Sequence, residues 1–290
     1  MDWLALTLLC AFSLASADAA TKWYLSDYPA RELVLIRFTL SGALLAPLLL
    51  FEPWPVLPPR FWLWVLALIP LELVAMALYM RAIRDGAFSH TLPYLAFTPV
   101  FATLTGLWLL DETVSLQGFA GIVLVSLGAY LLNVHHALKG GRWALLRPLE
   151  AIAGSPGARL MLVVAALYSL TSVMGKGALQ YAPPSFFGPF YFGVLGLSAL
   201  LVFGLSAPRN LPALWRRPGP NLLVGATMAV MVVTHFLAIQ RVEVAYMIAV
   251  KRTSVLFGIL YGAALFKEER LAQHLAAGAL MVAGVFLIVL

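Results

Sequence analysis

Charge is scarce in this chain: Asp, Glu, Lys and Arg make up 11% of its 290 residues, against 62% hydrophobic residues and a mean hydropathy of +0.92. A soluble domain carries about a quarter charged residues, so a soluble globular fold is excluded and the composition is that of an integral membrane protein. Cysteine is nearly absent as well. Cys10 alone rules out an intramolecular disulfide framework and any CxxC redox or zinc site, and it reads as a packing residue. There is no Gly-rich phosphate loop, which argues against ATP hydrolysis by this chain. Clustered nucleophiles, metal ligands and acid-base pairs are missing too, His135-His136 being the nearest approach, so neither an enzyme nor a cofactor is expected. The net charge of +6 does not indicate nucleic acid, because Lys and Arg sit mainly in short gaps between apolar runs, as topology determinants do.

Positive charge is lacking where a secretory signal would need it. Leu4 to Leu14 followed by Ala15-Ser16-Ala17 mimics an apolar signal core with a cleavage site, but Met1-Asp2-Trp3 supplies only an acid, so the segment is expected to be the first membrane span.

A span needs about 20 apolar residues. The chain divides into ten such runs, approximately 3–20, 33–51, 61–80, 91–110, 118–134, 160–174, 186–205, 222–239, 244–266 and 273–290. An all-α integral membrane fold of ten transmembrane helices follows. The domain reading is a first five-helix repeat over 1–137, a basic connecting loop at 138–158 and a second five-helix repeat over 159–290. Repeated spacings support the halves. Lys22 precedes Pro29 as Lys176 precedes Pro183, and Glu112 precedes Gly121 as Glu269 precedes Gly278. Five spans per half return the second half in the opposite orientation, which makes an inverted repeat with a binding site near the bilayer midplane.

Where charge does enter the apolar core, it is informative. Lys251-Arg252 lies inside the run from Val244 to Phe266, about 10–12 Å along the helix at 1.5 Å per residue. A charge at mid-span costs roughly 2.5–3.5 kcal/mol on insertion scales, so such residues face a bundle interior or a watery cavity. Arg offers a planar fork matched to carboxylate or phosphate and Lys adds a point charge, a combination suited to an oxyanion. The bland alternative is that Lys251 snorkels and Arg252 pairs with a structural carboxylate.

Other polar residues in spans are candidates to complete the site. Glu72, after Pro70, is a candidate counter-ion and His235 a proton-linked group. Their alternatives are a hydrogen bond at a helix kink and a packed neutral imidazole. Tyr94 aligns with Lys251 across the repeat and is expected to line the site. The GxxxG at Gly258–Gly262 is expected to pack within the bundle, and the pairs Asp111-Glu112 and Glu268-Glu269 to be solvated caps rather than a catalytic dyad.

In this arrangement the chain resembles the drug/metabolite transporter superfamily, specifically its ten-helix EamA-type permeases. The resemblance spans the whole chain. It rests on Phe12-Ser13, Lys22, Pro29 and Arg37-Phe38, then Thr98-Pro99-Val100-Phe101, Leu110-Asp111-Glu112 and Gly121, and in the second half on Phe266-Lys267-Glu268-Glu269 and Gly278. It implies secondary transport of small solutes by alternating access. Lys22 and Arg37 follow the family pattern and join the candidate substrate residues, with a role in holding structure as the alternative, and Lys176, the repeat counterpart of Lys22, joins them. Val250-Lys251-Arg252 is similar to the phosphate-binding motif of the plastid sugar-phosphate translocators, a distant branch, which implies that Lys251 and Arg252 bind the anion.

The expected function is therefore secondary transport of a small, anionic, carboxylate- or phosphate-bearing metabolite. Export of amino acids or drug-like solutes, and lipid flipping, are the alternatives. Expected partners are the solute, membrane lipid, and a coupling proton or counter-substrate, with no nucleic acid, in a monomer or weak homodimer. Gaps after odd-numbered spans hold most Lys and Arg, those after even-numbered spans only Arg60, Lys176 and Arg241. The positive-inside rule then places both termini in the periplasm of a bacterial inner-membrane, multi-pass protein.

Overall fold

The computed structural model describes residues 2–85, 92–134, 156–266 and 275–290, and all regular structure among them is helical. Among the described residues seven helices are long and apolar enough to cross a membrane, and three shorter apolar helices bring the candidate spans to ten. The first half comprises α1 (Trp3–Tyr24), α2 (Ala30–Leu45, continued by a 3₁₀ turn) and α3 (Pro59–Asp85), then a 3₁₀ segment (Leu92–Phe97) leading into α4 (Thr98–Leu110), and α5 (Leu116–Val134). The second half comprises α6 (Pro156–Ala178), α7 (Pro184–Ala199), α8 (Pro218–Ile239), α9 (Val244–Lys251), α10 (Ser254–Phe266) and α11 (Leu275–Val289). Proline opens α3, α6, α7 and α8. Its missing N–H lies where a helix has no acceptor to offer, and its fixed φ suits the first turn. The expected joint at 138–158 falls largely outside the described residues.

Helix pairing follows the repeat. In chain order α1 packs on α8 and α6 on α3, the same relation seen from each half, while α2 pairs with its mate α7 and α5 with its mate α11. Five crossings per half therefore give an inverted pair of five-helix units around one interior. The α5–α11 seam is made of glycine. A Cβ added at Gly121 would lie 2.7 Å from the Gly284 carbonyl oxygen, and one at Gly284 would lie 2.6 Å from that of Gly121. Without lipid-side hydrophobic force, close backbone approach supplies the association.

Two expectations are corrected here. Span nine, read as one helix over 244–266, is broken at Arg252-Thr253. The Thr253 hydroxyl donates to the Val250 carbonyl at 2.7 Å, and the Arg252 N–H turns back to Ala249 at 3.0 Å, so the ladder tightens for one turn before α10 begins. Gly258, expected to pack the bundle, is exposed, and an added Cβ would meet nothing within 4 Å. Helix identity was legible from composition, but which glycine faces a neighbour depends on rotation about the helix axis.

Candidate functional site

The break in span nine presents Lys251 and Arg252 to the interior of the bundle. Arg252 is buried at 9% exposure, and its Nε has no hydrogen-bond partner. Lys251 Nζ lies 3.3 Å from His235 Nδ1 and 3.6 Å from the Met231 sulfur, both on α8. An ammonium at that distance donates to the imidazole, which leaves the His235 proton on Nε2. Among the described residues neither cation has a carboxylate within ion-pair distance. Cys10 of α1 is fully buried near Thr234 and within the field of both cations.

Facing this cationic pole is an acidic and phenolic one. Glu72 on α3 lies near Thr171 on α6 and within electrostatic reach of Lys251, without forming an ion pair with it among the described residues. Tyr79 and Tyr168 pack with ring centroids 6.1 Å apart, close enough to Arg252 to share its field. Tyr191 on α7 is buried near Glu72, with its hydroxyl lacking a partner. Asp18 of α1 accepts from Arg37 Nη2 at 2.5 Å, and Arg37 also donates to Thr21 at 3.0 Å. Six helices and the break in span nine thus contribute to one polar centre, the expected fate of polar groups that a bilayer would otherwise penalise.

At one end of the bundle, contacts tie α6 to the α4–α5 and α8–α9 connections. Lys176, at the end of α6, forms an ion pair with Glu112 and donates to the Val242 carbonyl at 2.7 Å. Glu112 in turn accepts from the Val244 N–H at 2.8 Å, the first donor of α9 that its own helix cannot satisfy. Beside it, the Ser115 N–H donates to the Tyr246 hydroxyl at 2.9 Å, and a Cβ at Gly118 would collide with that tyrosine. Glu112 is therefore a clasp between helices, not the solvated cap expected of it. Glu268, Glu269, His135 and His136 lie outside the described residues. Replacing Lys176 by Met removes a charge-assisted bond of about 1.5–3 kcal/mol across the seam. A cysteine introduced at Val114, in a Cys10→Ser background, should then react with a membrane-impermeant maleimide at least about tenfold faster. An unchanged rate would show that the clasp does not hold the seam.

The sequence-derived candidates thus divide. Lys251, Arg252, His235 and Glu72 come together in the centre, and Arg37 stands at its edge, held by Asp18. Lys176 belongs to the clasp. Tyr94 is buried in the 3₁₀ segment that packs on α5 and α6, near Tyr130, and Lys22 is exposed in the last turn of α1. Asp18, Tyr79, Tyr168, Thr171 and Tyr191 were missed. Asp18 had a signal, a lone acid in an apolar span. The tyrosines had none, since their hydropathy does not separate a lining ring from a packed one.

Residues 1–134 and 155–290 match the EamA-like transporter family. No curated protein matches the chain. A solved structure described only as "Crystal structure of protein" superposes with a TM-score of 0.72 at 15% identity, over 99% of this chain and 96% of the other. At that identity the likeness concerns the fold.

Proposed function

This chain belongs to the EamA-like transporter family, a family of membrane transporters and not of enzymes, and from that premise we propose that it carries a small anionic metabolite, bearing carboxylate or phosphate, by alternating access. One observation carries the reading: Arg252 is a buried guanidinium with an unpartnered Nε, beside a second cation, with no carboxylate in ion-pair range among the described residues. Two uncompensated cations in a membrane interior are costly, and an oxyanion offered by the solute compensates them. The Val-Lys-Arg likeness to sugar-phosphate translocators points the same way. Lys251 and Arg252 would grip the anion. His235, 3.3 Å from the Lys251 ammonium, is positioned to respond to a coupling proton, and exchange against a counter-substrate is the other coupling mode. Transport is tested by loading proteoliposomes with phosphate, phosphorylated metabolites or organic acids and following counterflow of the labelled compound. Uptake of neutral solutes in preference to every anion would overturn the reading.

Orientation follows from the charge asymmetry, with gaps after odd-numbered spans in the cytoplasm of an inner-membrane protein and both termini in the periplasm. The face carrying Glu112, Lys176 and Val242 would then be periplasmic. A C-terminal alkaline phosphatase fusion at Leu290 is expected to be active, and a green fluorescent protein fusion dark. The reverse pattern would invert the assignment.

A further inference from the structure

At the end of the bundle opposite the clasp, the connection from α7 to α8 is built more rigidly than a topology signal requires. Two buried asparagines brace it: Asn210 donates to the Phe203 carbonyl at 2.8 Å, and Asn221 to the carbonyls of Ala213 and Leu214 at 2.7 and 3.0 Å. Arg217 pins it to the α1–α2 connection, donating to both Asp27 carboxylate oxygens at 3.0 Å and to the Tyr24 carbonyl. The adjacent Arg216 is used differently. Its guanidinium lies 4.9 Å over the Tyr28 ring and comes only to 3.8 Å from Glu32, and among the described residues it makes no hydrogen bond. At 47% exposure its donors are open to a ligand. Arg209 on the same connection and Arg31 in the first turn of α2 are also exposed, with no carboxylate in ion-pair distance among the described residues. Across these segments four arginines stand against two acids, Asp27 and Glu32. The positive-inside rule needs cations on one side of the membrane, not cations held in place.

The surroundings select the ligand. Trp215, next to Arg216, is 62% exposed, and exposed leucines flank the connection on both sides, Leu201 and Leu205 before it, Leu222 and Leu223 after it. Indole favours the headgroup level of a bilayer, and leucine the acyl region beneath it. We propose that this connection binds the headgroup phosphate of an anionic phospholipid at Arg216, with Arg209 and Arg31 adding positive charge and Trp215 and the leucines meeting the glycerol and acyl chains. Guanidinium donors match phosphate oxygens, and bracing by Asn210, Asn221 and Arg217 has already ordered the loop, so little entropy opposes binding. A soluble phosphate would leave the apolar flank unused. The charge asymmetry places this end at the cytoplasmic leaflet, where anionic lipid attracts basic juxtamembrane segments by roughly fivefold per cation. The site is separate from the solute centre and does not depend on which solute is carried.

The test follows the thermal unfolding midpoint of the purified full-length protein in a neutral detergent as phosphatidylglycerol, phosphatidylcholine or inorganic phosphate is added. Wild type should reach a given upward shift with at least about tenfold less phosphatidylglycerol than phosphatidylcholine, and inorganic phosphate should give no such shift. Arg216→Gln should cut the preference between the lipids at least about fivefold, while Arg216→Lys, which keeps the charge, should retain part of it. Arg60→Gln removes an exposed cation from the first turn of α3, at the clasp end, and should leave the preference unchanged. Each variant is compared with itself in two lipids, so a general loss of stability moves both titrations and does not imitate lost selectivity. Equal response of the wild type to both lipids, or a full preference in Arg216→Gln, would overturn the site. Loss of the preference in Arg60→Gln would overturn it too, by showing that net charge alone reads the lipid. A matching shift by inorganic phosphate would replace the lipid with a soluble ligand.

Discussion

Arg252→Gln and Lys251→Gln are expected to lose solute uptake in proteoliposomes almost completely, while expression and insertion stay equal or improve. The reason is that each side chain costs the membrane fold more than it returns. Arg252 is buried with an unpartnered Nε, and Lys251 is held by a histidine and a thioether, not by a carboxylate. Removing either charge relieves a mid-membrane penalty of roughly 2.5–3.5 kcal/mol on insertion scales and removes the anion's partner at the same time. Arg252→Lys separates charge from geometry. It keeps the cation but loses the planar fork, so binding should weaken by about 1–3 kcal/mol, or roughly 5- to 150-fold, with insertion unchanged. Normal transport by both Gln variants, with folding confirmed by size-exclusion chromatography, would remove the pair from the mechanism.

The second large effect is on stability. Asp18→Asn deletes the partner of Arg37, whose side chain is 3% exposed, and leaves a guanidinium in the protein interior with only Thr21 to meet it. Breaking a buried pair from one side costs about 3–5 kcal/mol. Here the lower end applies, about 3 kcal/mol, because Asp18 keeps 36% exposure and water can replace part of its contribution. The unfolding midpoint in detergent should fall by several degrees, as about 1 kcal/mol moves a large domain by roughly 2–4 °C. The double variant Asp18→Asn/Arg37→Gln should recover most of that loss, since the penalty comes from the stranded cation. A single variant as stable as wild type would mean that Arg37 finds solvent despite its burial.

Composition and spacing alone were enough to determine the fold class of this protein. Hydrocarbon cannot satisfy backbone hydrogen bonds, so ten apolar runs must be ten helical spans, and the paired intervals Lys22–Pro29 with Lys176–Pro183 mark two related halves. The exceptional residues were legible for the same reason: Lys251, Arg252, Glu72 and His235 stand out where polarity is penalised, and the fold gathers them in one centre. Only the tertiary structure decided how the polar residues are arranged. It broke span nine at Thr253, converted Glu112 and Lys176 from helix-end charges into a clasp, and placed Tyr94 by Tyr130 while bringing Asp18, Tyr79, Tyr168 and Tyr191 inward. Those outcomes depend on the rotation of each helix about its axis and on which neighbour it meets. In a nearly uniform apolar sequence, hydropathy varies too little around a helix to encode either one.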